Sequence, residues 1–176
     1  MNTRANPLDP YPSQARIRTL DRWALMAALI SLGMGISGMA FLPEMVPMHF
    51  NFLGEVDSYS SRWVILVLPL MGLAMYGFFR LIDRAPETFN YPFPIDDSNR
   101  VPMYALGRHL LVSINLFIQV AFLLLHLQIL RIALGHAERL SVVTIPVGLG
   151  ILAWIIFWHR RRMDAFKPAT KKESGS

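Results

Sequence analysis

Two groups of chemistry-bearing side chains stand out. His49, Asn51, Glu55 and Asp57 fall within one short segment. Imidazole and carboxylate oxygen are ordinary ligands of divalent metals. The same residue types also recognise polar ligands, or hold turns through side-chain to backbone hydrogen bonds. One histidine and two carboxylates without a fixed-spacing motif make a poor ligand set. His49, Glu55 and Asp57 are therefore weak metal candidates, no cofactor is expected, and loop fastening is the preferred role. The second group is a stripe. Gln119 follows Asn115 by four residues and His126 follows Gln119 by seven, so at about 3.6 residues per turn all three project from one helix face. They serve either as hydrogen-bonding glue between helices or as a polar pocket or proton path, with His126 the titratable member. Glue is preferred. No catalytic constellation is present: there is no H-E-x-x-H, Walker loop or G-x-S-x-G. The chain has no cysteine, which excludes thiolate metal sites and a cysteine nucleophile.

The elements that must position these groups follow from composition. Of 176 residues, 53% are hydrophobic and only 16% charged, and the mean hydropathy is +0.38. A soluble domain carries about 25% charged residues. Four stretches, 23–42, 63–79, 110–130 and 141–159, contain no Asp, Glu, Lys or Arg. Each has the length needed to cross a hydrocarbon core about 30 Å thick, and none has the charged outer face of a soluble helix. The expected fold is an all-α membrane protein, a four-transmembrane-helix bundle spanning 23–160. A flexible segment (1–22) precedes it and a basic tail (161–176) follows. The first stretch reads as a retained helix rather than a cleaved leader.

Lys and Arg in alternate connections divide fourteen to three. The positive-inside rule then places both termini in the cytoplasm, with the 43–62 loop outside. The same distribution explains the basic pI without a nucleic-acid partner. Ser31/Gly35 and Gly33/Ser37 in the first span are pairs of small residues four apart, suited to close helix packing within the bundle or in an oligomer. Pro69 predicts a kink in span two. In the second loop, Asp96 or Ser98 is expected to cap a short helix leading to span three, and His109, His136 and His159 sit at span edges.

The 43–62 loop is the most informative segment. Pro43 ends the first helix, Gly54 permits a tight turn, and Ser60 or Ser61 is positioned to cap the second helix. Met45, Val46, Met48, Phe50, Phe52 and Leu53 predict an ordered loop folded onto the mouth of the bundle, where His49 and His126 would share a vestibule.

Leu42, Pro43, Val46, Pro47, His49, Phe50, Asn51, Gly54, Asp57, Ser61 and Arg62 form a pattern, LPxxVPxHFNxxGxxD, that resembles a bacterial membrane domain of unknown function. That domain is found at the N-terminus of SdpI-type immunity proteins, and Asn90, Tyr91, Pro92, Asn99, Tyr104 and Arg108 extend the likeness. SdpI-type proteins carry a further membrane region that the last two spans do not clearly match. The resemblance implies a multi-pass protein of the bacterial cytoplasmic membrane that senses a secreted hydrophobic peptide. His49, Phe50, Asn51, Gly54 and Asp57 would then be ligand-binding or loop-fastening residues. The alternative partner is a larger membrane complex, to which the chain would be an accessory subunit. A metal-dependent enzyme or transporter comes third.

Overall fold

The computed structural model describes residues 11–168. Arg4, Lys171 and Lys172 lie outside them, with 1–10 of the expected flexible segment and 169–176 of the expected tail, whereas residues 14–22 of that flexible segment are part of the first helix. Helix α1 runs from Gln14 to Gly38, and the Ser13 hydroxyl accepts from the Arg16 amide at its start. Two antiparallel strands follow, β1 (Met45–Phe50) and β2 (Val56–Ser61). A 3-10 turn at Arg62–Leu66 leads into α2 (Val67–Ile82). After a second 3-10 turn at Pro86–Thr88 come α3 (Arg100–Ala133) and α4 (Thr144–Asp164).

The fold is mostly helical, but the expected all-α class needs correcting, because the first loop is a two-stranded hairpin. Among the described residues, three helical segments rather than the expected four are long and apolar enough to cross a membrane: Gln14–Gly38, Arg62–Ile82 and Arg100–Ala133. Helix α4 begins at Thr144 and carries Arg160, Arg161 and Arg162 in its last turns before Asp164, leaving a shorter apolar run. Trp23, Leu29, Ile36, Leu70, Phe78, Leu124 and Leu149 point outward, bare. An apolar exterior of this kind suits lipid rather than water.

Helices α1, α2 and α3 form the core, with α1 packed most extensively along α3 and α4 laid against α3. Close approach comes from small residues: Ala24, Ala27, Ala28, Ser31 and Gly35 are the buried face of α1. The two small pairs therefore separate. Ser31 and Gly35 pack inside the bundle, whereas Gly33 and Ser37 are exposed.

Several local expectations change. Pro69 lies in the first turn of α2, directly after the 3-10 turn at Arg62–Leu66, so the helical geometry changes from 3-10 to α just before it. Ser61 makes no capping bond; the Arg62 amide donates instead to the Glu44 carbonyl at 2.8 Å. Asp96 fastens the turn before α3, accepting from the Ser98 amide, the Ser98 hydroxyl and the Asn99 amide. Those Ser98 hydrogen bonds hold its carboxyl below the usual range. No separate short helix precedes span three; α3 is continuous through it.

The two ends of the bundle differ. One carries the hairpin and the 134–143 connection, joined where the Leu140 amide donates to the Gly54 carbonyl. The other gathers both described chain ends and the 83–99 segment. There Tyr11 meets Phe166, and Met103, Leu106 and Met163 form a small core with Tyr91, Phe93 and Ile95. The second loop is thus a packed connector. Burial, with the nearby Tyr104 and Glu87, pushes the Tyr91 phenol up. It stays neutral and donates to the Pro86 carbonyl.

Candidate functional site

The hairpin is anchored from below by Leu42 and Val46, which are buried with Ile65 and Leu130. The Arg62 guanidinium approaches the Met39 and Leu42 carbonyls at 3.5 and 3.4 Å, a cation at the C-terminal end of α1. Its tip is built by Asn51. The Asn51 side-chain oxygen accepts from the Leu53 and Glu55 amides, and its amide nitrogen donates to the Glu55 carboxylate at 2.8 Å. Gly54 completes the turn at φ +79°. A β-carbon there would collide with the Leu140 carbonyl, so the position needs glycine for both conformation and space.

His49 and Asp57 face each other across the strands, Nδ1 to Oδ1 2.7 Å. The ladder is irregular on both sides of His49, leaving Met48 and Asp57 without direct strand partners. Both side chains are open to solvent, so the pair contributes modestly to stability. Glu55 is occupied by Asn51. Among the described residues, no three of His, Asp and Glu converge into a metal-sized cluster.

The expectation that the apolar loop residues fold onto the bundle holds for Val46 only in part of the set: Met45, Met48, Phe52 and Leu53 are exposed, as is Tyr59 on β2. A strand turns only part of its side chains to the helices, and the register shifts on both sides of His49, so Met45 and Met48 are left bare, while Phe52 and Leu53 lie in the turn beyond the strands. Phe50 is half-buried.

The polar stripe lies elsewhere. Asn115, Gln119 and His126 are all buried at the α3 face that meets α1 and α2. Gln119 donates to the Gly72 carbonyl at 3.0 Å and to Asn115 at 3.2 Å. His126 Nδ1 lies 2.8 Å from the Ser31 hydroxyl. His126 Nε2 and Gln119 Oε1 have no protein partner. Gly35 and Gly72 leave room for these side chains; a β-carbon would come within 3.2 Å of His126 and 3.0 Å of Gln119. The vestibule shared by His49 and His126 is therefore corrected: His126 is sealed in the helix core, while His49 stands in the open with Asp57.

With these positions established, comparison with known proteins gives one match. Residues 26–73 match the family model of a domain of unknown function (DUF1648). This segment contains the second half of α1, the hairpin and the start of α2, and stops short of Asn90, Tyr91, Pro92, Asn99, Tyr104 and Arg108. None of the curated proteins and none of the solved structures matches the chain. Within the DUF1648 segment, the residues of the loop pattern largely build the hairpin. Leu42 and Val46 anchor it, Asn51 and Gly54 turn it, His49 and Asp57 cross it, and Arg62 ties it to α1.

Sequence reasoning missed three clusters. Asp83, 5% exposed, receives a bidentate bond from Arg108 at 2.8 Å on both oxygens. Arg108 also donates to Gln14, and Arg80 bridges Asp83 to Asp21 at 3.5 Å each. His109 Nδ1 and His159 Nε2 are 2.7 Å apart. Ser31 is the partner of His126. Each joins residues far apart in sequence; the advance signals were a charge or imidazole at a span edge for the first two, and for the third the polar stripe that held His126 and the small-residue pair that held Ser31.

Proposed function

We propose that the protein is a four-span protein of the bacterial cytoplasmic membrane, with both termini inside, whose outward hairpin senses a hydrophobic peptide or similar apolar ligand. It would resemble SdpI-type immunity proteins in that role. The observation that carries this reading is a division of labour in the hairpin. One set of side chains holds its shape, and another set (Met45, Met48, Phe52, Leu53 and Tyr59) is displayed to the outside. A rigid, apolar, membrane-proximal surface suits recognition because little side-chain and loop entropy is lost on binding.

A bacterium sensitive to a secreted hydrophobic peptide should survive it better when it makes this protein. Phe52→Ser with Leu53→Ser should abolish protection while leaving melting in detergent within about 0.5 kcal/mol of the parent, as for surface substitutions. Asn51→Ala should instead lower stability by about 1–3 kcal/mol, because two amides and a carboxylate lose their partner. Protection undiminished by the double substitution at full expression would sink the hairpin as the sensing surface.

The topology has its own test. Reporter fusions after Arg84 and Arg162 should report the cytoplasm, and fusions at Gly54 and His136 the exterior. A cytoplasmic signal at Gly54 would reverse the orientation. The second reading, an accessory subunit, is favoured by the open Gly33/Ser37 stripe, where nothing lies within 4 Å of an added β-carbon at Gly33. A stoichiometric large partner retained on purification from native membranes without crosslinker would select it.

A further inference from the structure

An apolar groove of about 630 Å³ runs between α3 and α4. Its lining includes Phe117, Val120 and Leu124 of α3 with Val147, Gly148 and Ile151 of α4. It is dry in character, and Gly148 widens it: a β-carbon there would meet only Phe117, at 3.6 Å. From Ser113 to Leu124 the groove follows α3 for about 16 Å at 1.5 Å per residue. One leaflet of a hydrocarbon core about 30 Å thick has nearly that depth.

The end of the groove away from the hairpin is formed by Leu20, Ser113 and Ile155, one from each of three helices. One helical turn further out, each helix carries a polar residue: Arg16 beyond Leu20, His109 beyond Ser113, and beyond Ile155 the buried His159, whose ring lies 2.7 Å from His109. Arg162 lies beyond His159 and stacks on Trp158 at 4.7 Å. The charges of Arg16 and Arg162 both reach the His109 ring. Arg16 has an exposed side chain and forms no ion pair among the described residues. An apolar channel with the depth of one leaflet thus ends beside the cations Arg16 and Arg162.

We propose that this groove holds an acyl chain of an anionic phospholipid, with the lipid phosphate against Arg16 at the rim. The site rests on the membrane reading above. The apolar channel supplies affinity for the chain, and the cationic rim selects the negative head group, each basic residue near a membrane surface contributing about 1 kcal/mol.

The test uses the full chain purified in neutral detergent, with lipid retention measured by native mass spectrometry and by melting. Phosphatidylglycerol should bind at one per chain and raise the melting temperature. Phosphatidylcholine with the same chains should bind about fivefold more weakly, and soluble glycerol phosphate should not shift melting. Arg16→Gln should remove the preference for phosphatidylglycerol, a loss of about fivefold. Gly148→Leu, which fills the channel, should weaken both lipids. Equal retention of the two lipids, insensitivity to both substitutions, or an equal response to glycerol phosphate would overturn the inference. A chain that stays monodisperse without detergent would overturn the membrane reading itself, a result separable from lipid indifference in a detergent-dependent protein.

Discussion

Arg108→Ala is expected to be the most destabilising single change in the bundle. Asp83 is 5% exposed and takes two charge-assisted bonds from one guanidinium, both at 2.8 Å. Removing one partner of a buried ion pair costs about 3–5 kcal/mol, because the other charge is left desolvated. The Arg108 side chain is 27% exposed and Arg80 stands 3.5 Å from Asp83, so the lower end, about 3 kcal/mol, is expected. Arg108→Lys should recover only part of this, since an ammonium cannot match the planar fork. Melting in detergent measures the effect, and a double-mutant cycle with Asp83→Ala isolates the pair. Wild-type melting of Arg108→Ala, or strict additivity in the cycle, would show that the pair is not coupled.

Gly54→Ala should be the second largest, for a different reason. The backbone at φ +79° costs a non-glycine residue about 1–3 kcal/mol. The new β-carbon also meets the Leu140 carbonyl, a backbone atom that cannot rotate away. The hairpin tip must therefore part from the 134–143 connection, and the bond from the Leu140 amide to the Gly54 carbonyl is lost. The expected signature is lower melting together with faster proteolysis at both the hairpin and that connection. Gly135 also has positive φ, 76°, but nothing lies within 4 Å of a β-carbon there. Gly135→Ala shares the backbone cost without the collision and is the control. Equal behaviour of the two variants would remove the close approach from the explanation.

Much of this protein is legible from composition and spacing. Long charge-free stretches identify helices suited to a bilayer, because a helix in lipid satisfies its own backbone and needs only apolar side chains outside. The spacing of Asn115, Gln119 and His126 places them on one face, since helical periodicity is local geometry. Gly54 and its neighbours announce an ordered turn for the same reason. What the chain order could not reveal is which distant groups meet. Asp83 and Arg108, His109 and His159, and Ser31 and His126 find each other only when α1, α2, α3 and α4 pack. The loop shows the same boundary. Its apolar residues announce order, but only the pairing of β1 with β2, with its register shift after Pro47, leaves Val46 turned inward and Met48 bare. Local steric preference governs the first kind of feature. The second depends on side-chain contacts across long sequence separations, whose partners are set by packing rather than by neighbours in the chain.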